Sequence, residues 1–521
     1  MPSSFQSTAP LLPEIFALHA KWRSNHEAVV CEEQRFTWQQ LCDFNHQLAH
    51  GFISRGLKVG DRVGVVMTNG IPMLQTLMSS MAAGLVSVPI NLSVNDDALV
   101  NMMNDAGISA LVVTDDQFER VNALLHLMPS TLTLTVCETI KNQQWQSFDM
   151  ISADQPSCLP SINYSADDAL NIIYSSGTTG MPKGIVHTHA GRRDWAYDLS
   201  IALRYDDSAR TLLTLGLYSN ISWVAMLSTL LVGGTVFIHQ RFNHDNFLAT
   251  VARQSITHTA MVPIQYQRII EAMEKAPHDV SSMRSMMSCG SPLQSDLKQK
   301  VFSYFSCAVI ELYGLTEGII TTLSPEDAEG RWRSVGRPLL GTDIDIIDDD
   351  NCSVKSGGSG EIISRGRITM AGYFNREEAN QEAMFIDQQG RQWLRSGDIG
   401  YIDSEGFLFI VDRKKDMILS GGQNIYPQDI ESIVIQHPVV NDVAVIAAKS
   451  NKWGETPIAL VVKEPSHDAI IVSDIKRWAN QQLGQQQRLA DVILIDKLPR
   501  NPNGKVLKRQ LRNNHQGIAY D

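Results

Sequence analysis

The first four hundred residues alternate short apolar runs with segments of helical spacing. Residues 62–67, 110–114 and 234–238 are short and largely apolar, which predicts buried strands. Residues 71–83 carry apolar side chains at helical spacing, which predicts a helix. Strands that alternate with helices are typical of layered α/β structure with largely parallel sheets. The sequence therefore predicts an α/β fold for this part of the chain.

The pattern of predicted secondary structure changes twice after residue 340. Short strand patterns and turn residues between 341 and 373 predict a small β-rich subdomain. Beyond Arg413, residues 429–436 and 473–483 predict helices. Residues 444–447 and 458–462 predict strands, so the last hundred residues read as a compact α+β unit. A chain of 521 residues is too long for one ordinary core and is expected to form at least two domains.

The net charge limits the kinds of partner that are expected, and the cysteines indicate the cellular compartment. The formal net charge of −12 argues against a surface built for nucleic acid or anionic lipid, so small-molecule partners are expected. The seven cysteines are scattered and lack any C-x-x-C spacing, which is typical of reduced cytosolic thiols. The sequence shows no signal peptide and no apolar run long enough for a bilayer. We therefore expect a cytoplasmic protein without a transmembrane segment. A homodimer is compatible with these features.

A glycine- and hydroxyl-rich run, YSSGTTGMPKG, occupies residues 174–184. Its glycines allow close backbone approach, its hydroxyls can donate hydrogen bonds, and Lys183 adds a cation. The apolar residues 170–174 precede it, so the loop is expected to leave the end of a strand and to wrap a polyphosphate. It is not a Walker A motif, because no Gly-Lys-Ser/Thr ends it. Taken alone, it is equally compatible with a surface loop rich in turn formers.

The run resembles the phosphate-loop signature of the adenylate-forming superfamily, which contains acyl-CoA synthetases, peptide-synthetase adenylation domains and beetle luciferases. Further segments match that superfamily in the same order: ELYGLTE at 311–317, SGDIGYID at 396–403, DRKKDMILSGGQNIYP at 412–427 and PRNPNGK at 499–505. Together they span nearly the whole chain, and the chain resembles a standalone acyl-CoA synthetase most.

This resemblance implies two domains. Residues 1–413 would form a large domain that binds ATP and the acid, built of layered α/β subdomains and a β-rich subdomain. Residues 414–521 would form a small, mobile α+β domain. Lys415 occupies the hinge position, where many relatives have aspartate and others lysine. A hinge depends more on backbone freedom than on side-chain chemistry, so either residue suits it.

The resemblance also assigns a nucleotide site. Tyr313 would stack on adenine, Thr316 would contact the α-phosphate and Glu317 would bind Mg²⁺, for which a carboxylate is a hard ligand. Asp398 would accept hydrogen bonds from the ribose, and Arg413 would contact ribose or phosphate. Alone, Glu317 would more often be a surface charge, and Asp398 could simply stabilise a turn. The full predicted ATP or AMP set is Ser175, Ser176, Gly177, Thr178, Thr179, Gly180, Lys183, Gly290, Ser291, Pro292, Glu311, Leu312, Tyr313, Gly314, Thr316, Asp398, Arg413 and Lys505.

Lys505 lies in a Pro-Asn-Gly-Lys turn and resembles the lysine that stabilises charge during adenylation. Thr316, Glu317 and Lys505 are thus the predicted catalytic residues. Ser420, Gly421 and Gly422 resemble the loop that gives room to a pantetheine arm after domain rotation, and they predict the coenzyme A channel. The implied reaction joins a carboxylate to MgATP, giving an acyl-adenylate and pyrophosphate. The thiol of coenzyme A then displaces AMP.

The acid is expected to be fatty or aryl. Residues 215–219 read LGLYS where many relatives have Leu-Pro-Leu-Phe/Tyr-His, so Gly216 and Ser219 depart from the pattern. The predicted acyl-pocket residues are Tyr218, Ser219, Asn220, Trp223, Val262, Ile264 and Gln265, although such side chains also suit ordinary core. Two alternatives stay open: loading of a carrier-protein pantetheine, and a nucleotide-binding regulator without catalysis.

Overall fold

The computed structural model describes residues 9–175, 182–420, 423–464, 472–485, 487–500, 504–516 and 518–520. The chain divides into two compact units. The first unit comprises Met1–Trp332, Pro338–Asp343 and Arg365–Leu394, and the second comprises Arg333–Arg337, Ile344–Ser364 and Arg395–Asp521. The expected functional boundary between residues 413 and 414 stays a prediction.

The strands and helices are named here in chain order. The strands are β1 Glu27–Cys31, β2 Gln34–Thr37, β3 Arg62–Val66, β4 Val86–Pro89, β5 Ala110–Val113, β6 Leu134–Cys137, β7 Gln146–Ser147, β8 Ala169–Ser175, β9 Lys183–Thr188, β10 Arg210–Leu213, β11 Thr235–Ile238, β12 His258–Met261, β13 Ser285–Ser288, β14 Ala308–Gly314, β15 Ile320–Leu323, β16 Arg337–Pro338, β17 Thr342–Ile347, β18 Gly360–Gly366, β19 Gly372–Tyr373, β20 Met384–Ile386, β21 Gln392–Ile402, β22 Leu408–Arg413, β23 Ile418–Ser420, β24 Gln423–Ile425, β25 Val440–Ser450, β26 Gly454–Lys463 and β27 Asp491–Leu494. The helices are α1 Leu12–Trp22, α2 Trp38–Ser54, α3 Ile71–Ala82, α4 Asp96–Ala106, α5 Phe118–Leu124, α6 Phe148–Ser152, α7 His189–Ala202, α8 Asn220–Val232, α9 His244–Gln254, α10 Pro263–Lys275, α11 Ser295–Tyr304, α12 Pro325–Ala328, α13 Glu377–Ala383, α14 Pro427–Val434, α15 Val472–Gln482 and α16 Lys508–Asn514.

Two large sheets organise the first unit. One has eight strands in the order β19-β9-β8-β4-β3-β5-β6-β7, and the other has nine in the order β16-β15-β14-β13-β12-β10-β11-β1-β2. Pairing is parallel from β8 through β7 and from β14 through β1. Antiparallel pairing joins β9 to β8 and β19, β15 to β14, and β2 to β1. The predicted α/β class with largely parallel sheets is confirmed. Helices supply the crossover connections that parallel strands need.

The largest apolar core lies among the central helices of the first unit. It contains Leu77 of α3, Trp195 of α7 and Trp223 of α8 together with Val65 of β3 and Val236 of β11. Because β3 and β11 belong to different sheets, this core joins both sheets through the helices. α3 has buried side chains all around, as a helix in such a layer must.

Four neighbouring strands of the nine-stranded sheet place the loops of interest. β14, β13, β12 and β10 are consecutive and parallel. Their carboxyl ends therefore lie at the same edge of the sheet, and the loops that follow them are neighbours. Ligands of open α/β sheets commonly bind at this edge.

Two smaller sheets complete the fold. One has the order β17-β18-β21-β20 with β22 paired to β21, and it contains β17 and β18 of the predicted β-rich region, whereas β19 joins the eight-stranded sheet. The division between the units passes through β17, β18 and β21. The other, within the second unit, has the order β24-β23-β26-β25 with β27 paired to β26, and α14 and α15 bury Ile430, Val434, Ile475 and Ala479 with it. Among the residues that the structure describes, every helix is too short or too polar to cross a lipid bilayer.

Candidate nucleotide and acid site

The first unit gathers predicted nucleotide and acyl residues at one edge of its nine-stranded sheet. The loop after β13 carries residues 290–292, and the turn after β14 carries Thr316 and Glu317. The loops after β10 and β12 carry the predicted acyl residues. These four loops follow adjacent parallel strands in the order β14-β13-β12-β10. The segments predicted to bind the nucleotide and the acid are therefore side by side.

Glu317 lies at the tip of the β14–β15 hairpin and is held on both sides. Its backbone carbonyl accepts a hydrogen bond of 2.8 Å from the Met370 N–H, and its Oε1 accepts one of 2.9 Å from the Tyr373 hydroxyl. The next residue, Gly318, has φ +117°, and a Cβ there would lie 2.5 Å from the Ile368 carbonyl oxygen. Only glycine fits this close approach, which fixes the Glu317 turn against residues 368–373.

Lys183 lies near the same tyrosine. Its Nζ is 4.8 Å from the centroid of the Tyr373 ring, and β9, which Lys183 begins, pairs with β19. Burial raises the pKa of the Tyr373 hydroxyl, and the Glu317 carboxylate raises it further, so the hydroxyl stays a donor at neutral pH. Tyr373 thus brings a predicted phosphate ligand and a predicted metal ligand to one place.

The Glu317 carboxylate suits Mg²⁺ bound with a nucleotide. In the described part of the chain, no group of three or more His, Cys, Asp or Glu side chains is arranged to hold a metal by itself. Mg²⁺ usually takes one or two carboxylates and completes its shell with substrate phosphates and water. A single fixed carboxylate beside a lysine fits that mode.

Glu311 has a different environment from the one its motif predicts. Its Oε2 lies 2.6 Å from Lys298 Nζ in a buried ion pair, and its Oε1 accepts a hydrogen bond of 3.2 Å from the Leu293 N–H. The carboxylate is therefore occupied by α11 and by the segment that follows residues 290–292. Glu311 shapes the predicted adenine surface by holding these segments together.

The flanks of the phosphate loop are described, but its centre is not. Ser176, Gly177, Thr178, Thr179 and Gly180 lie outside the described residues, as does the side chain of Ser175. β8 and β9 pair antiparallel up to Ser175 and Lys183, so the loop does follow a strand as predicted. At its start, the Tyr174 hydroxyl donates a 2.7 Å hydrogen bond to Asp105, which also pairs with Arg376.

The predicted acyl loop after β10 is held by Asn69, which lies just beyond the carboxyl end of β3. The Asn69 Nδ2 donates to the Leu215 carbonyl at 2.9 Å, and its Oδ1 accepts from the Leu217 N–H at 2.8 Å. Gly216 departs from the family proline, and a Cβ there would lie 2.0 Å from the Tyr218 ring. The glycine therefore makes room for that ring.

The predicted acyl residues divide by environment. Trp223 is fully buried and its indole N–H donates to the Leu217 carbonyl at 2.8 Å. Ser219 is buried and caps α8 by accepting from the Ile221 N–H. Gln265 is buried, donating to Thr214 at 3.2 Å, and Val262 is buried beside it. Ile264, by contrast, is 44% exposed, so its side chain does not join the buried ones.

Asp398, Arg413 and Lys505 lie together within the second unit. Asp398 and Arg413 face each other across β21 and β22, with Arg413 Nε 3.0 Å from Asp398 Oδ1. Burial lowers the pKa of the Lys505 ammonium to about 8; repulsion by Arg413 adds to this, while Asp398 and Asp416 oppose it. Lys505 thus shares one electrostatic environment with Asp398 and Arg413, although it lies 107 positions after Asp398.

The hinge and channel predictions fall on the next strands. Lys415 is exposed in the turn at 414–416, directly after β22. Ser420 ends β23 and pairs with Gly454, while Gly421 and Gly422 lie outside the described residues. The Leu419 N–H donates to Glu455 at 2.8 Å, so the Lys-Trp-Gly-Glu segment at 452–455 lies against the predicted channel strand.

Sequence reasoning missed Tyr373, Asn69 and Lys298. Tyr373 and Asn69 act through residues far away in the chain, since Tyr373 and Glu317 are 56 positions apart and Asn69 and Leu217 are 148 apart. Lys298 acts through Glu311, which lies 13 positions further along. A tyrosine, an asparagine and a lysine in ordinary contexts carry no local signal of such contacts. For Tyr373 and Asn69, only the order of strands in the sheets brings the partners together.

Known proteins match this chain over most of its length. The family model described as AMP-binding enzyme matches residues 16–374, and the model described as AMP-binding enzyme C-terminal domain matches residues 429–505. The chain is 29% identical to the 2-succinylbenzoate–CoA ligase of Bacillus subtilis, over 99% of this chain and 98% of that protein. It is 30% identical to the long-chain-fatty-acid–CoA ligase FadD13 of Mycobacterium tuberculosis, over 93% of this chain and 94% of that protein.

Solved structures match over nearly the full length as well. ATP-bound MatB from Rhodopseudomonas palustris superposes with a TM-score of 0.87 at 26% identity, covering 98% of this chain and 100% of that one. The o-succinylbenzoate CoA synthetase MenE of Bacillus subtilis, in complex with its acyl-adenylate intermediate, gives 0.83 at 27% identity, covering 96% and 98%. The chain belongs to the AMP-binding enzyme family, the adenylate-forming superfamily, as an acid–thiol ligase of the standalone acyl-CoA synthetase type.

Proposed function

We propose that this enzyme activates a fatty or aryl carboxylic acid with MgATP and transfers the acyl group to coenzyme A. The observation that carries this proposal is the order of loops at the sheet edge. The predicted nucleotide residues follow β13 and β14, and the predicted acyl residues follow the adjacent β12 and β10. A carboxylate bound in the second pair of loops would meet a phosphate bound in the first. The named relatives act on a fatty acid or on 2-succinylbenzoate, and both fit this class.

In the first half-reaction, a carboxylate oxygen of the acid attacks the α-phosphorus of ATP. The bond from that phosphorus to the bridging oxygen breaks, and pyrophosphate leaves. Thr316 and Lys183 contact phosphate oxygens, and the Lys505 ammonium balances the charge that develops. Glu317 would hold Mg²⁺, which neutralises phosphate charge when bound. Tyr313 and residues 290–292 hold the base, while Asp398 and Arg413 hold the ribose.

In the second half-reaction, the thiol of coenzyme A attacks the acyl carbonyl. The carbon–oxygen bond to AMP breaks, and the thiol proton passes to solvent. We assign the passage of the pantetheine arm to residues 420–422. The change between half-reactions is assigned to rotation of residues 414–521 about Lys415, with residues 1–413 as the large domain. The turn at 414–416, in which Lys414 and Lys415 are exposed, supports this boundary.

A pyrophosphate-release screen tests the reaction class. Suitable acids are octanoate, octanedioate, benzoate, 4-oxo-4-phenylbutanoate and 2-succinylbenzoate, each with and without coenzyme A. We expect release with at least one acid and AMP formation that accelerates with coenzyme A. Lys505→Ala should lose most pyrophosphate release yet keep thiolysis of a supplied acyl-adenylate. Lys497→Ala, which alters an exposed lysine of the same unit, is the matched control.

The same screen separates the two alternatives. Activation by an acid without any response to coenzyme A would favour transfer to a carrier-protein pantetheine. ATP binding without release for any acid would favour a regulator. The predicted cytoplasmic location is supported by seven free cysteines, and fractionation tests it. A homodimer is the proposed assembly, and light scattering in solution tests it.

A further inference from the structure

Arg192, at the end of the first turn of α7, is a buried cation without a carboxylate partner. It is 1% exposed, and in the described part of the chain no acidic side chain forms an ion pair with it. Its Nε donates a 2.9 Å hydrogen bond to Asn171 Oδ1, but its Nη2 is buried with no hydrogen-bond partner. Burying a charge without a partner destabilises the folded protein, so the presence of an unpaired buried arginine requires a functional explanation.

The groups around Arg192 share its lack of partners. Asn171 Nδ2, His187 Nε2 and Ser87 Oγ are all buried without hydrogen bonds. They form one row, because Asn171 pairs with Ser87 across β8 and β4 and with His187 across β8 and β9. Burial and the Arg192 charge hold the pKa of His187 well below its usual range, so its imidazole is neutral. The row offers hydrogen-bond donors beside a cation, which is the environment that a carboxylate prefers.

Arg192 also remains charged and rigidly placed. Burial lowers the pKa of its guanidinium to about 9, which leaves the group protonated at neutral pH. The guanidinium carbon lies 4.7 Å from the Trp195 ring centroid and 5.0 Å from that of Trp223. Stacking of this kind fixes a planar guanidinium without neutralising it.

Trp223 connects this cation to the proposed acid site. It belongs to α8, which begins directly after the acyl loop, and its indole N–H donates to Leu217 within that loop. The first residue of α8, Asn220, has a buried Oδ1 without a partner as well. Arg192 therefore lies behind one wall of the acyl segment, on the α7 side.

We propose that the preferred acid carries a second carboxylate, which Arg192 binds behind Trp223 while the first carboxylate reacts with ATP. This inference rests on the proposed function and specifies its substrate class as dicarboxylic acids. Arginine binds a carboxylate through two parallel N–H donors. The Nη2 group of Arg192 is a donor that has no hydrogen-bond partner within the protein. A neutral acyl chain would leave the cation buried and unpaired.

Matched acids test the proposal on the unaltered enzyme. Octanedioate and octanoate form one pair, and 2-succinylbenzoate and 4-oxo-4-phenylbutanoate form another; within each pair the extra carboxylate is the relevant difference. We expect kcat/KM for pyrophosphate release to be at least about tenfold higher for the dicarboxylic member of one pair, since a site built to pair a buried charge discriminates strongly. A smaller ratio in both pairs overturns the proposal.

A variant of Arg192 tests whether this residue causes the preference for dicarboxylic acids. Arg192→Met should reduce kcat/KM for the preferred dicarboxylic acid at least about tenfold and leave that for its monocarboxylic partner nearly unchanged. Arg193→Met is the control, because Arg193 is adjacent and pairs with Asp194. Equal losses on both acids would reject the role of Arg192. If the methionine variant does not fold, the wild-type ratios still decide the substrate class.

The outcomes also separate this inference from the proposed function. No pyrophosphate release with any acid rejects the ligase reaction itself. Release with octanoate and 4-oxo-4-phenylbutanoate that equals release with their dicarboxylic partners rejects only the second-carboxylate site.

Discussion

At the scale of single residues, the Tyr373 hydroxyl is the contact that orients the Glu317 carboxylate. Tyr373→Phe removes this donor and keeps the ring beside Lys183. We expect the Mg²⁺ concentration for half-maximal pyrophosphate release to rise about tenfold or more, because groups that orient a metal ligand tune metal affinity on that order. Titration of Mg²⁺ at saturating ATP measures it. Tyr304→Phe, at an exposed tyrosine, is the control, and an unchanged Mg²⁺ requirement would contradict this role.

The Lys505 ammonium gives a second residue-scale prediction, in its pH dependence. Its pKa is lowered to about 8, so the protonated fraction falls as pH rises through that value. If the charged form assists adenylation, pyrophosphate release declines above about pH 8. Lys505→Arg should move this decline to higher pH, because guanidinium keeps its proton. Rate profiles from pH 6.5 to about 9.5 measure the effect. A decline that persists unchanged in the arginine variant would assign it to another group.

At the scale of elements, the buried Lys298–Glu311 pair fastens α11 to β14. Glu311→Gln leaves the Lys298 ammonium buried and unpaired, which we expect to cost about 3–5 kcal/mol of stability. The double variant Lys298→Met with Glu311→Leu should cost less than Glu311→Gln alone, because no charge is then stranded. The midpoint of urea unfolding, followed by tryptophan fluorescence, measures both. A single variant as stable as the wild type would show that the pair is not what joins these elements.

The positions of helices and strands are predicted closely where the apolar residues of the sequence recur with a strong period. The helix predicted at 71–83 is α3, Ile71–Ala82, and the β-rich region predicted between 341 and 373 begins with β17, Thr342–Ile347. The helix predicted at 429–436 begins earlier, at Pro427, because proline suits the first helical turn. The strands predicted at 444–447 and 458–462 are the centres of β25 and β26, whose ends extend because they pair with each other over ten residues, which no single-strand pattern contains.

At the scale of the whole molecule, the proposed exchange of half-reactions depends on backbone freedom at Lys415. Proline fixes φ, so Lys415→Pro should hinder rotation. We expect thiolysis of supplied acyl-adenylate to slow at least about tenfold, with pyrophosphate release largely kept. Lys415→Ala is the matched control, since it removes the same exposed side chain without restricting φ. Equal effects on both half-reactions would place the hinge elsewhere.

The sequence by itself determined the α/β class, the superfamily and the acid–thiol ligase chemistry. These depend on short ordered motifs, such as YSSGTTGMPKG and ELYGLTE, whose residue types carry the chemistry locally. Tertiary structure alone decided which distant residues meet. Three contacts depend on the order of strands and on the layer of helices between the sheets. They are the hydrogen bond between Asn69 and Leu217, the hydrogen bond between Tyr373 and Glu317, and the packing of Arg192 on Trp223. Such contacts arise from crossover connections and burial, so no local pattern encodes them.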